Sequence, residues 1–149
     1  ADAKDGTLSY TDHISAEIAY TYKIKAVSAE DREPSYTAST NKLIAYKPLT
    51  AVADLKATGN LNRETEKIEV SLSWSKTENA ESYIIERKTA DGAFAKLATL
   101  SPDKDGNLPT SYKDENAEPD VSYTYKVTAE SAKRGKVSNN VEYLYKTAE

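Results

Sequence analysis

The sequence predicts an all-β chain folded as an antiparallel sandwich, and three observations carry that expectation. Lys67 to Ser75 alternates strictly, with Ile68, Val70, Leu72 and Trp74 on one face and Lys67, Glu69, Ser71, Ser73 and Ser75 on the other. A period of two over that length buries one face of a strand and wets the other, whereas a helix would scatter the four apolar residues around its axis. Second, seven short runs of this kind fit into about 100 residues, and turn residues separate them. Third, no stretch carries a long amphipathic helical period.

In chain order the predicted strands and turns are these. Leu55 to Thr58 is a short first strand, and Gly59-Asn60 reads as the turn that ends it. Lys67 to Ser75 follows, then the turn pair Glu78-Asn79 and the strand Tyr83 to Lys88. Asp91-Gly92, lying between two strand-like runs, is the strongest hairpin signal. Phe94 to Leu100 completes that hairpin, and the acidic segment Asp103 to Asn107 leads to Thr110 to Asp114. Glu118-Pro119-Asp120 turns the chain into the second long alternation: Val121, Tyr123, Tyr125, Val127 and Ala129 against Ser122, Thr124, Lys126 and Thr128. Arg134-Gly135 then opens the last strand, Val137 to Tyr145.

Residues 18–26 repeat the second alternation. Ile18, Tyr20, Tyr22, Ile24 and Ala26 stand at the spacing of Val121, Tyr123, Tyr125, Val127 and Ala129, an offset of 103 residues (121 − 18). A Ser-Tyr-x-Asp element precedes each copy: Ser9, Tyr10 and Asp12, then Ser111, Tyr112 and Asp114. A similar last strand follows each, Leu43 to Lys47 and Val141 to Lys146, both ending in Tyr-Lys. An offset near 100 residues is the size of a whole small domain, not of a solenoid unit. The chain is thus expected to hold the end of one sandwich, residues 1–47, and one complete sandwich, residues 48–149, with the boundary near Pro48-Leu49-Thr50.

Trp74 closing the second strand, Tyr83-x-Ile85-x-Arg87 in the third, and Ala117-x-Pro119 followed by Tyr123-x-Tyr125-x-Val127-x-Ala129 in the sixth resemble a fibronectin type III domain. The resemblance implies an immunoglobulin-like β-sandwich over 48–149. Over residues 1–47 it implies only the last three strands, E, F and G. It makes Tyr20 and Tyr123 tyrosine-corner residues, whose hydroxyls bond back to nearby backbone. Ala117 stands where the family usually has leucine, and the first copy has Glu17 where the second has Pro119. Ser39-Thr40-Asn41 and Ser138-Asn139-Asn140, taken as the openings of the two last strands, are similar to a variant common in secreted bacterial proteins.

Composition bounds the function. Of 149 residues, 38% are hydrophobic and 30% charged, and the net charge of −4 disfavours binding to nucleic acid or an anionic membrane, which needs a basic field. No run approaches the length of a membrane span. Cysteine is absent, which excludes disulfides and thiolate chemistry. Methionine is absent too, even at position 1, so the chain is expected to begin inside a longer precursor or after a removed tag, and its polar first residues give no sign of a leader.

No catalytic, cofactor-binding or metal site is expected. The lone histidine, His13, lies in the corner of the incomplete copy with no nucleophile or orienting partner in the pattern around it. The five glycines are isolated from one another, so no phosphate loop exists. Asp103-Lys104-Asp105-Gly106-Asn107 has the composition of a calcium loop in the wrong register, since glycine directly follows the second aspartate. It reads as a solvated acidic turn. Arg134-Gly135-Lys136 sits where some family members display Arg-Gly-Asp, but lysine replaces the acidic residue, and a polar hairpin tip is the reading. Among eleven tyrosines, Tyr36, Tyr46, Tyr143 and Tyr145 lie in or near the two last strands, where they could stack on sugars or pack at the domain junction.

The expected function is therefore a spacer or scaffold module in a secreted or cell-surface multimodular protein, with a bacterial glycan-degrading enzyme as the favoured parent. The alternative is a carbohydrate- or protein-binding adhesion module. Expected partners are neighbouring modules of the parent, or a second polypeptide that completes the first domain.

Overall fold

Strand β3 (Ala19–Tyr20) and strand β4 (Lys23–Ala26) carry the first tyrosine alternation, in a computed structural model that describes residues 3–4, 7–26 and 36–147. The chain divides into two compact units, Ala1–Lys47 and Pro48–Glu149. In the first, β4 pairs antiparallel with β5 (Tyr36–Ser39), and β3 pairs with β6 (Leu43–Ile44). Between the two ladders, Thr40 donates its N–H to the Tyr22 carbonyl, while its hydroxyl accepts the Tyr22 N–H. The four residues from Thr40 to Leu43 thus oppose the three from Tyr22 to Tyr20, a one-residue bulge. Strands β1 (Ala3–Lys4) and β2 (Thr7–Leu8) form a separate two-stranded ladder. Ser9 to Asp12, the counterpart of Ser111 to Asp114, joins no ladder among the described residues.

The second unit has seven strands: β7 (Lys56–Asn62), β8 (Lys67–Ser73), β9 (Ser82–Thr89), β10 (Ala95–Leu100), β11 (Ser111–Ala117), β12 (Ser122–Ser131) and β13 (Gly135–Leu144). They form two antiparallel sheets, β10-β9-β12-β13 and β11-β8-β7. The alternation read from sequence decides which residues meet between them. Ile68, Val70 and Leu72 from β8, with Trp74 just beyond it, face Tyr83 and Ile85 of β9 and Tyr123, Tyr125, Val127 and Ala129 of β12, all buried. The Trp74 ring, 5% exposed, meets the Tyr83 ring edge-on at 5.2 Å. Tyr83 in turn accepts the Thr77 N–H at 2.7 Å on its hydroxyl, so its polar tip is satisfied inside the core.

Three expectations are corrected. Gly59-Asn60 is not a turn but the middle of β7, and the chain turns at residues 63–66, where the Asn62 side chain accepts the N–H groups of Glu64 and Thr65. Glycine stands at 59 because the Tyr143 ring lies over the strand there; a Cβ would meet its hydroxyl oxygen at 2.3 Å. Ser138-Asn139-Asn140 is the middle of β13, not its opening, and Asn139 donates its side-chain amide to the Val52 carbonyl, tying the leading segment to the last strand. Finally, the counterpart of Glu17 is Asp120, not Pro119. Both residues have positive φ, 68° and 57°. Glu17 donates its N–H to the Ala45 carbonyl, as Asp120 does to Tyr145. The Glu17 carboxylate accepts the Lys47 N–H, as that of Asp120 accepts the Thr147 N–H. This also places Ala45 level with Tyr145, so the two Tyr-Lys endings are one residue out of register.

Candidate functional site

Charge withdrawn from water is the feature that most often marks chemistry, and in the second unit it gathers at Asp114. That carboxylate projects from β11 into the sandwich and its side chain is only 4% exposed. Its Oδ2 accepts Arg87 Nη1 from β9 at 2.6 Å and the Tyr125 hydroxyl from β12 at 2.8 Å, while Oδ1 accepts the Asn116 N–H at 3.0 Å. The guanidinium also lies over the Tyr123 ring, 4.7 Å from its centroid. Burial alone would lower the basicity of Arg87, but the adjacent carboxylate more than offsets it, so its pKa is raised. Burial, then the bond to Asp114, pushes the Tyr125 hydroxyl far above the ordinary tyrosine range. The cluster joins one sheet to the other and has every partner it needs. It is a brace between the two sheets.

The two tyrosine corners form as the resemblance implies. Tyr123 accepts the Glu118 N–H at 3.1 Å and Tyr20 accepts the Ser15 N–H at 3.3 Å, each five residues back. The first unit also repeats the second half of the brace: the Tyr22 hydroxyl donates to Asp12 Oδ2 at 2.9 Å. What it does not repeat is the cover. Tyr10, Asp12, Ile14, Tyr22, Ile24 and Leu43 line an open groove of about 530 Å³, and Tyr10 and Ile24 are 79% and 68% exposed. A second groove, on the other unit, is lined by Leu61, Arg63, Pro119 and the ion pair of Lys67 with Glu118.

The remaining candidates fall as follows. His13 is exposed. Asp103 closes its own turn, accepting the N–H groups of Asp105 and Asn107 on Oδ1 and donating its N–H to the Asn107 carbonyl. The backbone N–H of Asn107 leads the interactions that hold its carboxyl below the usual range. Arg134 and Gly135 form the β12–β13 hairpin tip, with Gly135 at φ 81°. Tyr143 and Tyr145 are half-buried against the core, and Tyr46 is half-buried in the first unit. The side chain of Tyr36 lies outside the described residues. Among the described residues no cluster of His, Cys, Asp and Glu could hold a metal ion, and no helix is long and apolar enough to cross a membrane.

No protein-family model and no curated protein matches the sequence. Solved structures do. The chain is similar to the crystal structure of the chicken CNTN1 FN1-FN3 domains, with TM-score 0.54 and 20% identity, over 90% of this chain and 44% of that one. The fold is fibronectin type III. A myokine structure is also similar, with TM-score 0.51 and 16% identity, over 68% of this chain and all of that one. In fibronectin type III terms Asp114 lies on strand E, Tyr125 on F and Arg87 on C, so the brace crosses the sandwich. Reading the sequence alone missed it. The available signal was the Ser-Tyr-x-Asp element ahead of both tyrosine strands, with Asp12 ten residues before Tyr22 and Asp114 eleven before Tyr125.

Proposed function

We propose that residues 48–149 are a complete, non-catalytic fibronectin type III module that acts as a spacer or scaffold. Residues 1–47 are the C-terminal half of a second such domain, completed by polypeptide outside this chain segment. The observation that carries the first part is the closed brace: Asp114, the one strongly buried carboxylate among the module's described residues, is engaged by Arg87, Tyr125 and Asn116. Supporting the second part are the matched bonds of Tyr20 and Tyr123, Tyr22 and Tyr125, and Glu17 and Asp120. The setting we propose is a secreted or cell-surface multimodular protein, with neighbouring modules as the standing partners. A bacterial glycan-degrading parent is the choice favoured by the sequence resemblance.

A second reading, a carbohydrate- or protein-binding adhesion module, is favoured by the open groove beside Tyr10 and Tyr22. Electrophoresis of the 1–149 chain through gels cast with soluble polysaccharides separates the readings. A spacer migrates as in the blank gel. Retardation abolished by Tyr145→Ala or Tyr10→Ala would replace the spacer reading with carbohydrate binding.

A further inference from the structure

The second unit holds its own answer to what belongs on the open face of the first. There, β9 pairs with β12 so that Arg87 stands opposite Tyr125, Ile85 opposite Val127 and Tyr83 opposite Ala129. The guanidinium so placed meets two groups: the Asp114 carboxylate, which also accepts the Tyr125 hydroxyl, and the Tyr123 ring. The first unit has each counterpart in place. Asp12 is held by the Tyr22 hydroxyl, and the Tyr20 and Tyr22 rings lie 6.4 Å apart, close to the 6.2 Å of Tyr123 and Tyr125. Asp12 has no cationic partner among the described residues. Strands β3 and β4 each pair on one side only among the described residues, which leaves the edge that corresponds to the β9 side of β12 open.

We propose that this open edge receives an antiparallel β-strand of a polypeptide outside residues 1–149, and that the strand carries an arginine opposite Tyr22 whose guanidinium pairs with Asp12 over the Tyr20 ring. The inference rests on the reading of residues 1–47 as an incomplete domain and adds the chemistry of what completes it. By the register of the second unit, an aliphatic residue stands two positions before the arginine, opposite Ile24, and an aromatic one two further, opposite Ala26. Lysine is a poor substitute, since it lacks the planar fork that fits a carboxylate and stacks on an aromatic face.

The chain supplies a probe: a synthetic peptide of residues 67–90, which contains β8, β9 and Arg87. It is titrated into the isotope-labelled 1–149 chain while the amide signals of residues 18–26 and 121–129 are followed by NMR. The expected result is saturable shifts at 18–26. Peptides with Arg87→Gln or Arg87→Lys should bind at least about tenfold more weakly, the scale of one hydrogen bond to a charged group. The Asp12→Asn chain should bind all three peptides alike. Because the peptide series leaves the chain unaltered, it decides even where Asp12→Asn unfolds the first unit. Equal binding of the Arg and Gln peptides to the unaltered chain overturns the arginine pairing and leaves strand completion standing. Shifts confined to 121–129, no binding at all, or a concentration-dependent dimer in sedimentation that covers 18–26 each overturn the proposal. If the chain is instead monomeric and residues 18–26 exchange their amides as slowly as 121–129 without peptide, the incomplete-domain reading itself is wrong.

Discussion

Replacing Arg87 by methionine keeps the length of the side-chain stem and removes the charge, so it isolates the cost of leaving Asp114 without its cation. Asp114 is 4% exposed and cannot turn to solvent, yet it keeps the Tyr125 hydroxyl and the Asn116 N–H as donors. Breaking a buried pair from one side costs about 3–5 kcal/mol, and the two retained bonds place Arg87→Met near the lower end of that range. Against a total stability of roughly 5–15 kcal/mol this is a large loss. Asp114→Asn is milder, about 1.5–3 kcal/mol, because the half-buried guanidinium can still reach water. In the double variant neither charge is stranded, so its cost falls below the sum of the singles by roughly 1–3 kcal/mol. Urea denaturation read by the fluorescence of Trp74 follows this unit alone, since the chain has one tryptophan and it lies in that core. Single-variant costs that add to within about 0.5 kcal/mol would show that the brace is not a coupled unit.

Trp74→Ala removes the largest group between the sheets and should cost about 3–5 kcal/mol by circular dichroism, with the neighbouring outward Ser73→Ala nearly silent. Gly59→Ala forces the Tyr143 ring off β7 and should cost about 1–3 kcal/mol, most of it recovered in a Tyr143→Ala background measured by the same thermal melt. Tyr125 has a raised pKa in the folded state, so the stability it supplies is complete below the ordinary value of 10.0 and drains away as the solution becomes more alkaline. Tyr125→Phe should therefore flatten the alkaline limb of the urea-midpoint profile while lowering the midpoint near neutrality. Asp120 behaves oppositely: its side-chain bond from Thr147 leads the interactions that lower its pKa, so its contribution is present above the ordinary 3.8 and is lost as acid carries the pH through the depressed folded value. Asp120→Asn should make the midpoint less sensitive to pH in that acid window.

Strands were legible wherever one face is buried, because alternation and burial are then the same fact. Ile68, Val70 and Leu72, and Tyr123, Tyr125 and Val127, were assigned to the core by pattern and lie there. Local turn chemistry misled where a tertiary contact supplied the reason for a residue. Gly59 looked like a turn because Gly-Asn usually is one, but the cause of the glycine is a tyrosine 84 positions later (143 − 59). The brace was hidden for a related reason. Arg87 and Asp114 occupy different sheets and 27 positions separate them, so no short-range spacing records their meeting. The apolar alternation of residues 18–26, by contrast, was legible in the same way as those strands, and there Ile18 and Ile24, with Leu43 opposite Tyr20, are exposed.

The paired carboxylates at the corners bear on how each unit meets a pull on its last strand. Asp120 holds the end of β13 by its N–H to the Tyr145 carbonyl and by its carboxylate to both the N–H and the hydroxyl of Thr147. A tensile load entering at residue 147 thus reaches the corner loop before it reaches the ladder between β12 and β13. Several bonds must yield together there, rather than one ladder rung at a time. Glu17 grips the Ala45 carbonyl and the Lys47 N–H in the same way, at the last residue before the chain passes into the next unit. Each unit thus carries its own strain relief at its exit.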